Sequence, residues 1–337
     1  AGQVVFANGG DVAKEAGIIP QAATQPEDGG LAGLDLWAYY VAYDHPRSYE
    51  SLSRAIPHLD HVIAYFYQLS PDGEIIGSAR PEVSRLAAAY GRPLHLMVKN
   101  QGEAEFGRAL ADPARRGRLV EAVLGLLQAP GVQGLHLDIE GIPAENRDDL
   151  TRFVAQVAAG LRARYPGRVL SQAVPARTRD LTSGWAAPYD YGRLAAQVDY
   201  FVLMAYGFRT EASPTPGPTT PTDWLAQVLA YTATRVPPEK LVVALPWWAT
   251  DWNLAAGPPA VSRRYTDLLP LLPAGEWAYL PEVGANRLRY AQAGQAHEVW
   301  FEDRRSFLAK VELVRRYGLG RVAGWRLGHE DPAIWQP

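Results

Sequence analysis

GVQGLHLDIEGI, residues 131–142, departs from the pattern expected of a buried parallel strand. Such strands are covered on both faces and read as near-continuous apolar runs. Here Leu135, Leu137 and Ile139 keep one parity, while His136, Asp138 and Glu140 keep the other. Side chains alternate across a strand, so the three polar groups project together. Burying them is costly unless they are paired or hydrogen-bonded. Three ionisable groups aligned towards the C-terminal tip of one strand mark a place for chemistry.

Short β-type runs alternate with helical patterns on both sides of this stretch. Strands are expected at 34–40, 61–67, 93–99, 134–140, 168–174, 200–205, 240–246 and 321–327. Helices are expected at 49–56, 81–90, 113–127, 146–165, 191–198, 221–234 and 304–317. Pro81, Pro113 and Pro221 stand in first turns, and Gly91, Gly167 and Gly318 at far ends. Repeated βα units imply a parallel sheet, and eight strands are the number that closes a (β/α)8 TIM barrel. No Gly-rich phosphate loop follows the first strand, which favours the closed barrel over an open doubly wound sheet. The expected fold is therefore α/β, a barrel over residues 34–337. A small α+β insertion at about 250–300 is expected between the seventh strand and the last helix, where WAYLPEVGANRLRY and HEVWFED read as short strands with Gly and Asn turns. Residues 213–221 form a stiff, Pro-rich loop after the sixth strand. Residues 1–33, rich in Gly, Ala and Gln without a sustained period, are expected to be a leader or linker. A start at Ala1 without a visible n- or h-region fits a removed signal peptide and a fragment boundary equally.

Composition narrows the function classes. The chain has 337 residues, with 33 Lys and Arg against 36 Asp and Glu, a net charge of −3. No basic excess points to nucleic acid, no cationic cluster points to a membrane surface, and no run of 18 apolar residues spans a bilayer. With no cysteine, disulfides and thiolate metal sites are excluded. His95, His297 and His329 lack metal-ligand spacing, so no metal is expected. The 10 Trp and 17 Tyr include many at strand ends and in loops. There they serve equally as core filling and as platforms for apolar sugar faces.

Glu140 falls where barrel enzymes place catalytic groups. A general acid for glycosidic cleavage needs a raised carboxyl pKa, which a carboxylate two residues back can supply by like-charge repulsion. At about 3.3 Å per residue, the Asp138 and Glu140 Cα atoms lie ~6.6 Å apart along one strand. Side by side, they are poorly placed to attack opposite faces of a sugar, as the usual retaining pair does. Asp138 is thus not expected to be a nucleophile, and the geometry suits a substrate that supplies its own.

GVQGLHLDIEG resembles the D-G-x-D-x-D-x-E signature of glycoside hydrolase family 18, the chitinase-like barrels, with Asp138 and Glu140 at its last two acidic positions. YFVLMAYGF is similar to the family's sixth-strand Met-x-Tyr-Asp segment, aligning Met204 and Tyr206. LVVALPWWATDW resembles the seventh-strand segment ending in an aromatic pair, and VAGWRLG the last strand with its floor tryptophan, here Trp325. The likeness spans about residues 34–337. WAYYVAYDHPRSYESL and VWFEDRRSFLAKVELVRRYGLGRVAGWRLG are especially similar to the bacterial branch associated with spore-cortex peptidoglycan lysis. The resemblance implies that Glu140 protonates the glycosidic oxygen and later acts as base towards water. The substrate's 2-acetamido oxygen attacks C1, Asp138 orients the acetamido N–H, Tyr206 bonds its carbonyl and Trp325 floors the sugar. No cofactor is then required. Three positions depart from the family: Gln133 and His136 replace signature aspartates, and Gly207 replaces the Asp after Tyr206. His136 is expected either to hydrogen-bond Asp138 as part of the substrate site or to be a satisfied interior histidine.

Further substrate-site candidates are Tyr40 and Tyr67 at the first two strand ends, Asn100 closing the third, and Gln172 on the fifth. Trp247, Trp248 and Asp251 cluster at the seventh-strand tip; Asp303 is expected to cap the last long helix. The sequence thus predicts a retaining, substrate-assisted glycosidase acting on β-linked N-acetylglucosamine glycans, peptidoglycan or cortex fragments ahead of chitin. It is expected to act as a monomer, exported to the cell envelope or beyond. The rivals are a weak or inactive chitinase-like carbohydrate-binding protein and a barrel enzyme of other sugar specificity.

Overall fold

The computed structural model describes residues 30–336. The expected leader over 1–33 therefore lies almost wholly outside the described residues. The elements run β1 (Asp35–Val41), α1 (Arg47–Ala55), β2 (His61–Leu69), β3 (Ile75–Gly77), α2 (Pro81–Ala89), β4 (Leu94–Asn100), α3 (Glu103–Ala111), α4 (Pro113–Gly125) and β5 (Val132–Asp138). They continue with α5 (Arg147–Arg164), β6 (Val169–Pro175), α6 (Tyr191–Gln197), β7 (Tyr200–Met204), α7 (Thr222–Ala233) and β8 (Leu241–Pro246). Five strands and a short helix follow: β9 (Ala249–Asn253), β10 (Val261–Arg263), α8 (Tyr265–Leu268), β11 (Glu276–Leu280), β12 (Ala285–Gln292) and β13 (Gln295–Phe301). Helix α9 (Arg304–Arg316), β14 (Arg321–Trp325) and a 3-10 turn (Pro332–Trp335) follow.

Strands β1, β14, β8, β7, β6, β5, β4 and β2 pair in parallel in that order, and β1 pairs with β2 to close the ring. This is a (β/α)8 barrel, with β3 added antiparallel to the C-terminal end of β2, past the stretch that pairs with β1. All eight barrel strands lie within a few residues of the runs expected from sequence.

Period-two alternation divides the apolar residues between two cores. Leu135, Leu137 and Ile139 of the β5 segment face outwards into the shell between sheet and helices, against residues such as Leu124 of α4 and Val157 of α5. Trp37, Tyr39, Ile63, Met97, Val202 and Val242 fill the barrel interior. The sequence reading missed α3, whose apolar Phe106, Ala109 and Leu110 occupy a single face. Asp112 ends it and caps α4, its Oδ1 accepting from the Ala114 and Arg115 amides.

Between β8 and α9, β10, β9, β13, β12 and β11 form a second, fully antiparallel sheet in that order. Its core of Ala249, Leu268, Leu288, Val299 and Phe301 is separate from the barrel's two. The sheet is joined to the loop after β7, where the Ala260 amide donates to the Glu211 carbonyl and Trp252 Nε1 to the Ser213 carbonyl. Asp303 caps α9 in a reciprocal capping box with Ser306. Lys310, fully buried on α9, donates to Glu302 and to the Gly284 carbonyl, tying the helix to the inserted sheet.

Candidate active site

Barrel strands deliver side chains to their C-terminal face, and a cleft of about 280 Å³ opens there. Inward parity on β5 sends His136 and Asp138 into the barrel, one layer above the other. Glu140 follows just past the strand end, next to Gly141, whose φ of +69° turns the chain away. The Asn100 side chain fixes the Glu140 backbone: its amide donates to the Glu140 carbonyl at 2.9 Å, and its carbonyl accepts from the Glu140 amide at 2.7 Å. The Tyr189 hydroxyl donates to the Ile139 carbonyl at 2.6 Å, holding the same turn from the other side.

Asp138, Glu140, Met204, Tyr206, Trp248 and Trp325 line the cleft together. Tyr206 and Trp248 meet edge to face at 5.1 Å between ring centroids, and Trp325 meets Tyr39 in the same way at 5.0 Å. Burial raises Asp138 well above the usual carboxylate range, the charge of Glu140 raises it further, and Lys99 opposes both. Burial likewise pushes the Tyr206 phenol well up, with Tyr39 and the two acids adding to the effect, so Tyr206 remains a hydrogen-bond donor. The arrangement therefore presents a buried acid, a second acid at the mouth, a phenol donor and two indoles around one space.

Several candidates lie elsewhere. Tyr40 has the outward parity; it is buried between sheet and helices, 3.1 Å from His45 Nδ1. Its neighbour Tyr39 takes the inward place. Tyr67 also packs towards the outer shell, because an irregularity between Tyr65 and Tyr67 shifts the register of β2 against β4. Gln172 pairs in register with Leu137 and Phe201, both outer-shell residues, so it faces away from the interior. Trp247 is buried between Phe307 and Trp335, on the opposite side of its strand from Trp248. Asp251 sits inside the second sheet, accepting from Arg263 Nε at 2.6 Å and the Tyr290 hydroxyl at 2.7 Å, with His297 Nδ1 at 2.9 Å. Asn100 positions backbone and does not line the cleft. His136 lies beneath the cleft and has no hydrogen bond to Asp138. Its ring nitrogens instead meet the Tyr39 hydroxyl at 3.1 Å and Ser171 Oγ at 2.7 Å, and burial lowers its pKa to about 3.

The structure adds residues that were not singled out. Lys99, at the tip of β4, places Nζ 2.6 Å from Glu140 Oε1 and 3.5 Å from Asp138 Oδ2. Its signal was present: His95, Met97 and Lys99 share a parity in LHLMVKN, just as the acids do in β5. Tyr39 carried the same signal through Trp37. Arg209 and Glu211 reach the cleft from the loop after β7, where no periodicity marks them. No cluster of metal-ligating side chains exists among the described residues.

A closed parallel barrel with an acidic strand end opening into an aromatic cleft defines the class of barrel glycosidases. The profile of glycosyl hydrolases family 18 matches residues 35–330, and the chain belongs to that family. Over 298 residues it is 27% identical to the cortical fragment-lytic enzyme of Bacillus subtilis (strain 168), covering 85% of this chain and 68% of that protein. The crystal structure of the Bacillus cereus spore cortex-lytic enzyme SleL superposes with a TM-score of 0.82 at 22% identity, over 90% of this chain and 73% of that one. A chitinase from Chromobacterium violaceum superposes with a TM-score of 0.80 at 25% identity, over 90% and 96%. The protein is a glycosidase. Among the described residues no helix is long and apolar enough to cross a membrane.

Proposed function

We propose that this protein is a retaining, substrate-assisted glycosidase that cleaves β-linked N-acetylglucosamine glycans, with peptidoglycan or cortex fragments preferred to chitin. The observation that carries the proposal is the pair Asp138 and Glu140, stacked at one end of the cleft with Tyr206 and Trp325. Glu140 gives its proton to the glycosidic oxygen as the C1–O bond breaks. The 2-acetamido carbonyl oxygen bonds to C1, forming an oxazolinium on the substrate. Water then attacks C1, the ring opens back to the acetamide, and the water's proton returns to Glu140. Asp138 orients the acetamido N–H and offsets the developing positive charge, and the Tyr206 hydroxyl donates to the acetamido oxygen. Trp325 stacks against the sugar's apolar face. The two carboxyls lie on the same strand segment, an arrangement suited to this route and unsuited to attack from opposite faces.

The preference for peptidoglycan rests on the likeness to the cortical fragment-lytic enzyme. A peptidoglycan substrate entails export to the cell envelope. A monomer is proposed as the acting unit. Mass spectrometry of products from purified peptidoglycan and from chitin oligomers tests the proposal. Peptidoglycan should yield new reducing-end N-acetylglucosamine, and Glu140→Gln should lower the rate by about 10²–10⁴-fold, the usual worth of a positioned acid–base group. Binding of both glycans without any product would overturn it. That outcome would instead support a carbohydrate-binding protein, a second reading favoured by the Lys99 ammonium that occupies Glu140 in the structure.

A further inference from the structure

Two carboxyls and one ammonium meet in the cleft lining. Lys99 Nζ lies 2.6 Å from Glu140 Oε1 and 3.5 Å from Asp138 Oδ2. Asp138 is almost wholly buried and its Oδ1 has no hydrogen-bond partner among the described residues. The other titratable groups acting on Lys99 are Tyr65 from β2 and Tyr43 just past β1, and Tyr39, Tyr206, Arg209 and Glu211 line the same cleft. With both acids ionised the trio would carry a net negative charge in a largely desolvated space, which is costly. With one proton between them it is neutral.

We propose that Lys99 is the positioning residue of this carboxyl pair: its ammonium keeps Asp138 and Glu140 a unit holding a single proton. In the resting protein the proton resides on Asp138 and Lys99 pairs with the Glu140 carboxylate. Before bond cleavage the two cations exchange places: the proton passes from Asp138 to Glu140, and the Lys99 ammonium moves from Glu140 Oε1 to Asp138 Oδ2. The unit's charge stays constant throughout, and Glu140 is left protonated beside the glycosidic oxygen with Asp138 ionised. Lys99 is long, flexible and partly exposed, so it can make this short move. The inference rests on the acid role proposed for Glu140. His136, the polar group on the same β5 face, is committed to Tyr39 and Ser171 and cannot supply the charge.

The test is a carboxyl-carbon NMR titration of the full chain, compared among the wild type, Lys99→Gln and Lys99→Arg, followed by kcat/KM against pH on a neutral chitin oligomer. An opposite charge at this distance moves a carboxyl pKa by roughly 1–3. In Lys99→Gln the pair should therefore titrate higher than in the wild type by about 1 or more on the pH scale, and both limbs of the rate profile should move alkaline with it. Lys99→Arg, which keeps the cation, should restore the wild-type titration. A merely structural lysine would lower activity without moving the profile, and superimposable titrations in wild type and Lys99→Gln would overturn the proposal. Should Lys99→Gln fail to fold, the wild type alone decides: one protonated and one ionised carboxyl at neutral pH support the proposal, and two ionised carboxyls refute it. The titration needs no substrate. A wild type that titrates as expected yet turns over no glycan removes Glu140's acid role and leaves the charge assignment standing.

Discussion

Asp138 and Glu140 are two residues apart, yet their surroundings differ. Asp138 lies inside the barrel end, where desolvation favours its neutral form, whereas Glu140 lies at the mouth within reach of a lysine. The raised pKa of Asp138 has a consequence for stability. Its proton is bound more tightly in the folded chain than in the unfolded one, so its stabilising contribution is complete below the unfolded pKa. That contribution is lost as pH rises through the folded value. Asp138→Asn keeps the shape without the ionisation. It should raise folding stability at pH 8 by about 1 kcal/mol or more, since a tenfold tighter hold on the proton corresponds to about 1.4 kcal/mol, and the gain should vanish near pH 4. Urea midpoints at the two pH values check this, and equal gains at both would exclude the burial cost as the cause. Activity should fall by about 10²-fold or more, the usual effect of losing a positioning group at the reacting centre. A stabilised but inactive variant is the expected trade at a functional site that buries an acid.

At the level of elements, β8 and β14 meet at a position that tolerates no side chain. A Cβ on Gly324 would fall 1.9 Å from Trp247 Cζ2, and that ring is wedged between Phe307 and Trp335. Gly324→Ala should destabilise the chain by about 1–3 kcal/mol or more through overpacking, with a change in tryptophan fluorescence as the indole cluster shifts. Thermal unfolding measures the first, and an unchanged melting temperature would mean that the cluster repacks freely. Trp325 follows directly on the cleft side, one residue on from the glycine that admits Trp247 to the outer shell. The inserted sheet takes part in a similar way. It is bonded to the loop bearing Arg209 and Glu211 through the Ala260 amide and Trp252, so the cleft wall depends on an element that lies outside the barrel.

For the whole molecule, buried imidazoles set the acid limit. Burial lowers His136 and His329 to about 3, lowers His95 well below its ordinary value, and lowers His61. The unfolded chain takes up these protons from about pH 6.5 downwards while the folded chain refuses them. Stability therefore falls as pH drops from about 6.5 towards 3, by up to ~1.4 kcal/mol per pH unit for each such histidine. Asp138 opposes the trend with one group against several. Urea midpoints should be lower at pH 5 than at pH 7, and a flat profile would mean that these rings are hydrated and free to charge.

The barrel was legible because its eight strands read as short apolar runs, most of them closed by Gly or Pro, and because those runs alternate with helical stretches. The acidic strand end was legible for the same local reason: alternation in HLDIE assigns a face without knowledge of any neighbour. Local alternation also put His136, Asp138 and Glu140 on one face, and the chain's likeness to family 18 grouped Met204, Tyr206 and Trp325. What only the tertiary structure decided were matters of register and company. The irregularity in β2 sent Tyr67 outwards, a shift that depends on pairing with β4 and leaves no mark in either strand. Tyr40 and Gln172 sit one residue off the inward parity, which is set by how each strand enters the ring. Asp251 went to the core of the inserted sheet because its partners Arg263, Tyr290 and His297 come from three later segments. The ion pair between Lys99 and Glu140 joins residues 41 positions apart. A strand's alternation is a property of its own backbone, so sequence determines which side chains share a face. The identity of the group opposite them is fixed only when the ring closes, and here it made a lysine the partner of the two cleft carboxyls.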